Sequence, residues 1–74
     1  MDKTARVREC LKRAGLARLP PGNSDDLRGW GIDSLLAVLT VIELQKDFGV
    51  RIPAHAITES SFDSIERLAA LVPD

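Results

Sequence analysis

In the run Gly31-Ile32-Asp33-Ser34-Leu35 a serine follows an aspartate at the point where an irregular stretch gives way to an apolar helical one. That order places the Ser34 hydroxyl at a helix tip, where unpaired backbone N–H groups and the helix dipole favour an anion. A phosphodiester formed on Ser34 would sit in that field. Asp33 caps the helix and, as an exposed acid, can help hold a magnesium ion for a modifying enzyme. Gly31 keeps the approach free of side-chain bulk. The chemistry on offer is a hydroxyl displayed for modification. The same Asp-Ser pair also suits an ordinary helix start, since both residues are common caps.

No other constellation competes. Cys10 and His55 are the only residues of their types, so the chain forms no internal disulfide and lacks the ligands of a structural zinc site. No metal site is expected. Nothing pairs an acid with a base around a substrate pocket. His55 is expected in a surface turn, and Cys10 as a small buried side chain in mid-helix.

The elements that must position Ser34 follow from the apolar spacing. Val7, Leu11 and Ala14 recur at helical intervals and predict helix 1 over residues 4–14, with Asp2 or Thr4 as cap and Gly15 as stop. Residues 16–33 form a long connection, because Pro20, Pro21, Gly22 and Asn23 forbid a continuous helix. A loop this long must pack or carry function. Leu16, Leu19, Leu27, Trp30 and Ile32 are expected to pin it, Trp30 by covering the core, with a place flanking whatever Ser34 carries as the alternative.

Helix 2 is expected over residues 34–48, capped by Asp33 and stopped by Gly49. Its interior exceeds the roughly three or four apolar positions per seven of an amphipathic helix, so apolar side chains must spill beyond the core-facing stripe. Pro53 opens a short helix over 54–58. A last helix covers 63–71, capped by Ser60 or Ser61 and closed by Pro73. There is no strand pattern, repeat or low-complexity segment. The fold expected is all-α: a small four-helix bundle of three main helices and a short third one, with a long loop between helices 1 and 2.

At 74 residues the chain is expected to be a single domain over 1–74 with one small aliphatic core. No long apolar run marks a signal peptide or membrane span, so the expected location is the cytoplasm, with no membrane partner. Net charge is −1, but it is unevenly spread. Residues 1–18 hold Lys3, Arg6, Arg8, Lys12, Arg13 and Arg18 against Asp2 and Glu9, and the remainder is acidic. The split reads as a solvated face of helix 1, with an interaction surface as the alternative.

The sequence resembles the acyl carrier and peptidyl carrier protein superfamily over nearly its whole length. The resemblance is carried by Asp26-Leu27, Gly31-Ile32-Asp33-Ser34-Leu35, Phe48-Gly49-Val50 and Ile52-Pro53, then Phe62, Ile65 and Leu68-Ala69-Ala70-Leu71-Val72. Asp-Ser-Leu alone is a weak signal. Joined at this spacing to an apolar helix ending in Phe-Gly-Val-x-Ile-Pro, it is a strong one. The resemblance implies covalent 4′-phosphopantetheine, derived from coenzyme A, on Ser34. It implies a carrier rather than an enzyme, presenting acyl intermediates as thioesters in fatty acid, polyketide or related biosynthesis. The implied partners are a phosphopantetheinyl transferase and the acyl-loading, condensing and processing enzymes of its pathway. The domain is expected to be a monomer.

Carriers of fatty-acid synthesis are strongly acidic along helix 2. Here Leu36, Leu39, Gln45 and Lys46 stand where acids are usual, leaving Glu43 and Asp47. Docking is expected to rest on Leu35, Leu36, Leu39 and Ile42, with weaker electrostatic steering. The Asp-Ser-Leu-Leu-Ala run places the chain nearer to stand-alone carriers of polyketide and nonribosomal peptide pathways. An aminoacyl, peptidyl or D-alanyl carrier would use the same arm. From another class, an unmodified helical interaction module remains open. A DNA-binding helix-turn-helix is disfavoured: no second basic helix exists, and the connection between helices 1 and 2 is far too long.

Overall fold

A computed structural model describes residues 2–73 as an all-helical bundle. Three α-helices are present among these residues: α1 (Lys3–Ala14), α2 (Ser34–Phe48) and α3 (Ile65–Ala69). Short 3₁₀ turns at Arg28–Trp30, Ala54–Ala56 and Glu59–Phe62 lie in the connections. No helix among the described residues is long and apolar enough to cross a membrane.

Local chemistry sets the boundaries of α1 and α2. Asp2 caps α1 by accepting the Ala5 N–H at 2.8 Å, and its carboxylate also takes the Thr4 hydroxyl at 2.9 Å. Gly15 ends the helix at φ 122, a conformation that L side chains avoid. Asp33 caps α2 through the Leu36 N–H at 2.8 Å. Gly49, left-handed at φ 64, ends it, and the Val50 N–H bonds back to the Gln45 carbonyl at 3.2 Å.

The C-terminal third departs from expectation. The stretch expected as a helix over 54–58 is a single 3₁₀ turn, because the half-buried Ile57 sits in an extended conformation that leaves the helix. Ser61 does not cap the last helix. It joins Thr58 in a capping box around the Glu59–Phe62 turn, accepting the Thr58 N–H at 3.1 Å. α3 therefore starts later, capped by Ser64 through the Arg67 N–H at 3.1 Å. It also stops earlier than residue 71: the Leu71 and Val72 N–H groups bond three residues back, at 3.0 and 3.3 Å, which tightens the end of the helix.

The core joins α1, α2 and α3 through the fully buried Val7, Leu11, Leu44, Ile65 and Leu68, with Leu27 of the long connection among them. Buried Thr40 is satisfied, its hydroxyl donating to the Leu36 carbonyl at 2.6 Å. The long connection is tied down at several points. Arg8 donates to the Asn23 side chain at 3.0 Å and to the carbonyls of Pro20 and Pro21 at 2.8 and 3.0 Å. The Leu27 N–H reaches the Asp63 carbonyl and the Glu66 N–H reaches the Asn23 carbonyl, both at 2.9 Å. Leu16, Leu19, Leu27 and Ile32 pack on the core as expected. Trp30 does not: it is half-exposed, with the Arg18 guanidinium 5.9 Å from its ring centroid.

The basic side chains of α1 are more than a solvated face. Arg6 pairs with Asp47 at 2.9 Å, donates to the Asp47 carbonyl at 2.8 Å and lies 4.0 Å over the Phe48 ring. Arg13 reaches Glu43 at 3.0 Å and Asp47 at 3.2 Å. The hydrogen bond from Arg13, helped by Lys46, holds the Glu43 carboxyl below its usual range. A carboxyl whose pKa is depressed by folding stabilises the fold above its unfolded pKa, and that contribution is lost as pH falls through the folded value. Stability of the wild type, followed by circular dichroism, should therefore decline as pH falls from the ordinary carboxylate range to below it. Glu43→Gln should lower stability at neutral pH and flatten its dependence on acid. An unchanged pH profile would show that the pair is energetically silent.

Candidate functional site

The 3₁₀ turn Arg28–Trp30 is closed by the Trp30 N–H on the Leu27 carbonyl at 3.0 Å, and so hangs from a fully buried anchor. Gly31 follows in the left-handed region at φ 96, and this reversal directs Ile32 back to the core and Asp33 to the start of α2. A Cβ on Gly31 would have room, lying 3.9 Å from the nearest Leu16 atom, so the requirement for glycine is one of backbone conformation. Ser34 is the first residue of α2 and is exposed. At a helix start the N–H groups of Ser34 and Leu35 have no carbonyl one turn back. One Asp33 carboxylate oxygen holds the Leu36 N–H, and the other takes no hydrogen bond among the described residues.

Ser34 opens onto a cleft of about 300 Å³ lined by Arg28, Ile32, Asp33, Ala37, Glu59 and Phe62. A second slot of about 260 Å³ follows, lined only by apolar residues: Ala37, Val38, Val41, Ile42, Ile57 and Phe62. Ala37 and Phe62 border both. The hydroxyl thus stands at the mouth of a path that runs from polar to apolar between α2 and the segment 57–62. Sequence reading missed the part played by Ile57 and Phe62. Phe62 was legible only as part of the family pattern, and Ile57 carried no signal of its own.

The surface of α2 beside Ser34 is apolar. Leu35 is 67% exposed, Val38 57%, Ile42 43% and Leu39 36%. Leu36 departs from this expected row. It is half-buried and packs against the core, and a Cβ built on Gly15 would meet its Cδ2 at 3.1 Å. Helical geometry turns Leu36 toward α1 and leaves Val38, overlooked in the sequence, on the open side. The two acids that remain on α2 both face α1 arginines.

The other reactive groups lie elsewhere. His55 is exposed in the Ala54–Ala56 turn. Cys10 is fully buried between α1 and α2, its thiol 3.6 Å from the Glu43 carbonyl oxygen. Burial pushes the Cys10 thiol up, and nearby Asp47 adds to the shift.

An exposed hydroxyl at a helix N-terminus, an unobstructed glycine beside it and a cleft leading away fit a tethered phosphodiester arm. A small helical bundle that displays such a serine has the form of a carrier protein. The comparison with known families agrees: residues 5–72 match the family model described as phosphopantetheine attachment site, and the chain belongs to that family. No curated protein matches the chain. The protein is thus a carrier whose prosthetic group is covalently attached 4′-phosphopantetheine, a class served by phosphopantetheinyl transferases and by the enzymes of its pathways.

Because Cys10 is buried and its thiol is held protonated, the apo protein should expose no reactive thiol in its native state. Titration with an aromatic disulfide should detect none before denaturation and one after it. Rapid native labelling would show that the interface between α1 and α2 opens readily.

Proposed function

We propose that Ser34 bears the 4′-phosphopantetheine arm and that the protein carries acyl intermediates between the enzymes of a biosynthetic pathway. The observation that carries this reading is the exposed Ser34 hydroxyl at the N-terminus of α2, opening onto the cleft that leads to the apolar slot. The bound arm ends in a thiol that holds cargo as a thioester, both tethered and activated. The chain's residues do the rest. Ser34 supplies the oxygen for attachment, and the open end of α2 favours the resulting anion. Asp33 orders that end with one carboxylate oxygen and leaves the other for a magnesium ion during modification. The apolar slot gives arm and cargo a surface to rest on. Tethering raises the effective concentration of cargo at each docked enzyme.

Docking in this reading uses Leu35, Val38, Leu39 and Ile42, with Leu36 behind them as support. Glu43 and Asp47 are engaged with α1, so partner recognition is expected to depend little on salt. That apolar surface, with Asp-Ser-Leu-Leu-Ala at its start, favours a carrier of polyketide or nonribosomal type over an acidic fatty-acid carrier. An aminoacyl or D-alanyl carrier would differ only in cargo.

Intact-protein mass before and after incubation with coenzyme A, magnesium and a broad-specificity transferase tests the attachment. The wild type should gain one phosphopantetheine unit. Ser34→Ala should gain none and melt at nearly the same temperature, since the hydroxyl makes no buried contact. A gain by Ser34→Ala would place the arm elsewhere.

The docking surface has its own test. Val38→Asp should raise the KM of the transferase or of a pathway partner by on the order of tenfold, the cost of one interface hot spot, and leave stability unchanged. Leu36→Asp should instead destabilise the fold by about 2 kcal/mol or more by burying a charge. Equal transfer kinetics for Val38→Asp and wild type would count against an apolar docking face.

A further inference from the structure

Charge around Ser34 is unbalanced. The cleft at Ser34 is lined by two carboxylates, Asp33 and Glu59, and by one cation, Arg28. A phosphodiester on Ser34 would add a negative charge beside Asp33. Close like charges destabilise each other, and the free N–H groups of the first helical turn offset this only in part.

Arg28 is held in a particular way. Its Nε and Nη2 donate to the two carboxylate oxygens of Asp26 at 3.1 and 3.4 Å, and its own backbone N–H donates to Asp26 at 2.9 Å. Asp63 lies 3.9 Å from Nε. The acids thus fix one edge of the guanidinium, while Nη1 has no partner among the described residues. With 70% of its side chain exposed, Arg28 can turn that edge without losing buried contacts. A guanidinium fork suits a phosphate, and one already oriented by a neighbour loses less rotamer freedom on pairing.

We infer that Arg28 is a positioning residue for the arm: its free guanidinium edge pairs with the phosphodiester on Ser34, while Asp26 holds the opposite edge. Resting on the assignment of the arm to Ser34, the inference adds a counter-ion supplied by the carrier itself. The pair fixes the direction in which the arm leaves α2 and draws it over the cleft toward Phe62. Sequence reading recorded Asp26-Leu27 as part of the family pattern but found no role for Arg28.

The test uses intact holo protein, made with coenzyme A and a transferase and confirmed by mass, as wild type, Arg28→Gln and Arg28→Lys. Two resonances are followed by NMR: the phosphorus of the phosphodiester, and the Arg28 Nε–Hε group in apo and holo protein. At low salt the Arg28 Nε–Hε signal should move between apo and holo wild type. The phosphorus signal should differ between wild type and Arg28→Gln, with Arg28→Lys in between. Both effects should fade at about 0.5 M salt, where screening acts over only a few ångströms. For an exposed charge pair, the Gln variant should lower the paired population by about two- to fivefold.

Identical phosphorus and Arg28 signals in confirmed holo proteins would overturn the inference and leave the assignment of Ser34 standing. Slower modification of Arg28→Gln with unchanged holo spectra would also overturn it, making Arg28 a transferase contact. Failure of the wild type to gain mass would overturn the assignment of Ser34 and this inference together.

Discussion

The position of Ser34 depends on how the long connection between α1 and α2 is held against the bundle. That connection contains Pro20, Pro21, Gly22 and Asn23, all hostile to helix, and its backbone must find partners outside regular structure. Two devices supply them. Arg8 on α1 spends its guanidinium on Asn23 and on the carbonyls of Pro20 and Pro21, and fully buried Leu27 carries a backbone bond to Asp63. The 3₁₀ turn hung from Leu27 then reverses at Gly31 and delivers Asp33 as the cap of α2. An exposed hydroxyl is thereby mounted on a rigid helix end instead of a free loop.

The same economy of charge shapes the rest of the surface. α1 is basic and α2 has few acids, yet those acids meet α1 arginines inside the molecule. Part of the charge asymmetry visible along the chain, Arg6 and Arg13 against Glu43 and Asp47, thus holds two helices together. What remains beside Ser34 is an apolar row on α2 and an apolar slot behind it. The proposed recognition of partners through shape and apolar contact rests on that distribution, and the electrostatics beside Ser34 are set by a few local groups.

Much of this was legible before the structure. The bounds of α2 were readable because Asp33 and Gly49 are strong local caps that agree with the apolar run between them. The exposed place of Ser34 at the helix tip was readable for the same reason, since it directly follows the cap. The C-terminal third was harder, because Thr58, Ser60, Ser61 and Ser64 all compete as caps, and only packing of Ile65 and Leu68 into the core decides among them. The inward packing of Leu36 and the exposure of Val38 were hard to read for a related reason. In a helix that is apolar nearly all round, periodicity does not say which side faces α1. The ion pairs of Arg6 and Arg13 join residues far apart in the chain, and charge counting saw the imbalance without the pairing. Trp30 was expected to cover the core, but the indole stays half-exposed near Arg18.

The central claim is that one serine, at the tip of α2, carries the prosthetic group. Tandem mass spectrometry of trypsin-digested holo protein tests it directly, because Ser34 is the only serine in the peptide spanning 29–46, while Ser24 and the serines at 60, 61 and 64 fall in other peptides. The account predicts that the added mass, and the pantetheine fragment released from it on dissociation, come from the 29–46 peptide with Ser34 as the modified position. Added mass on any other peptide, or on buried Thr40 within this one, would contradict it.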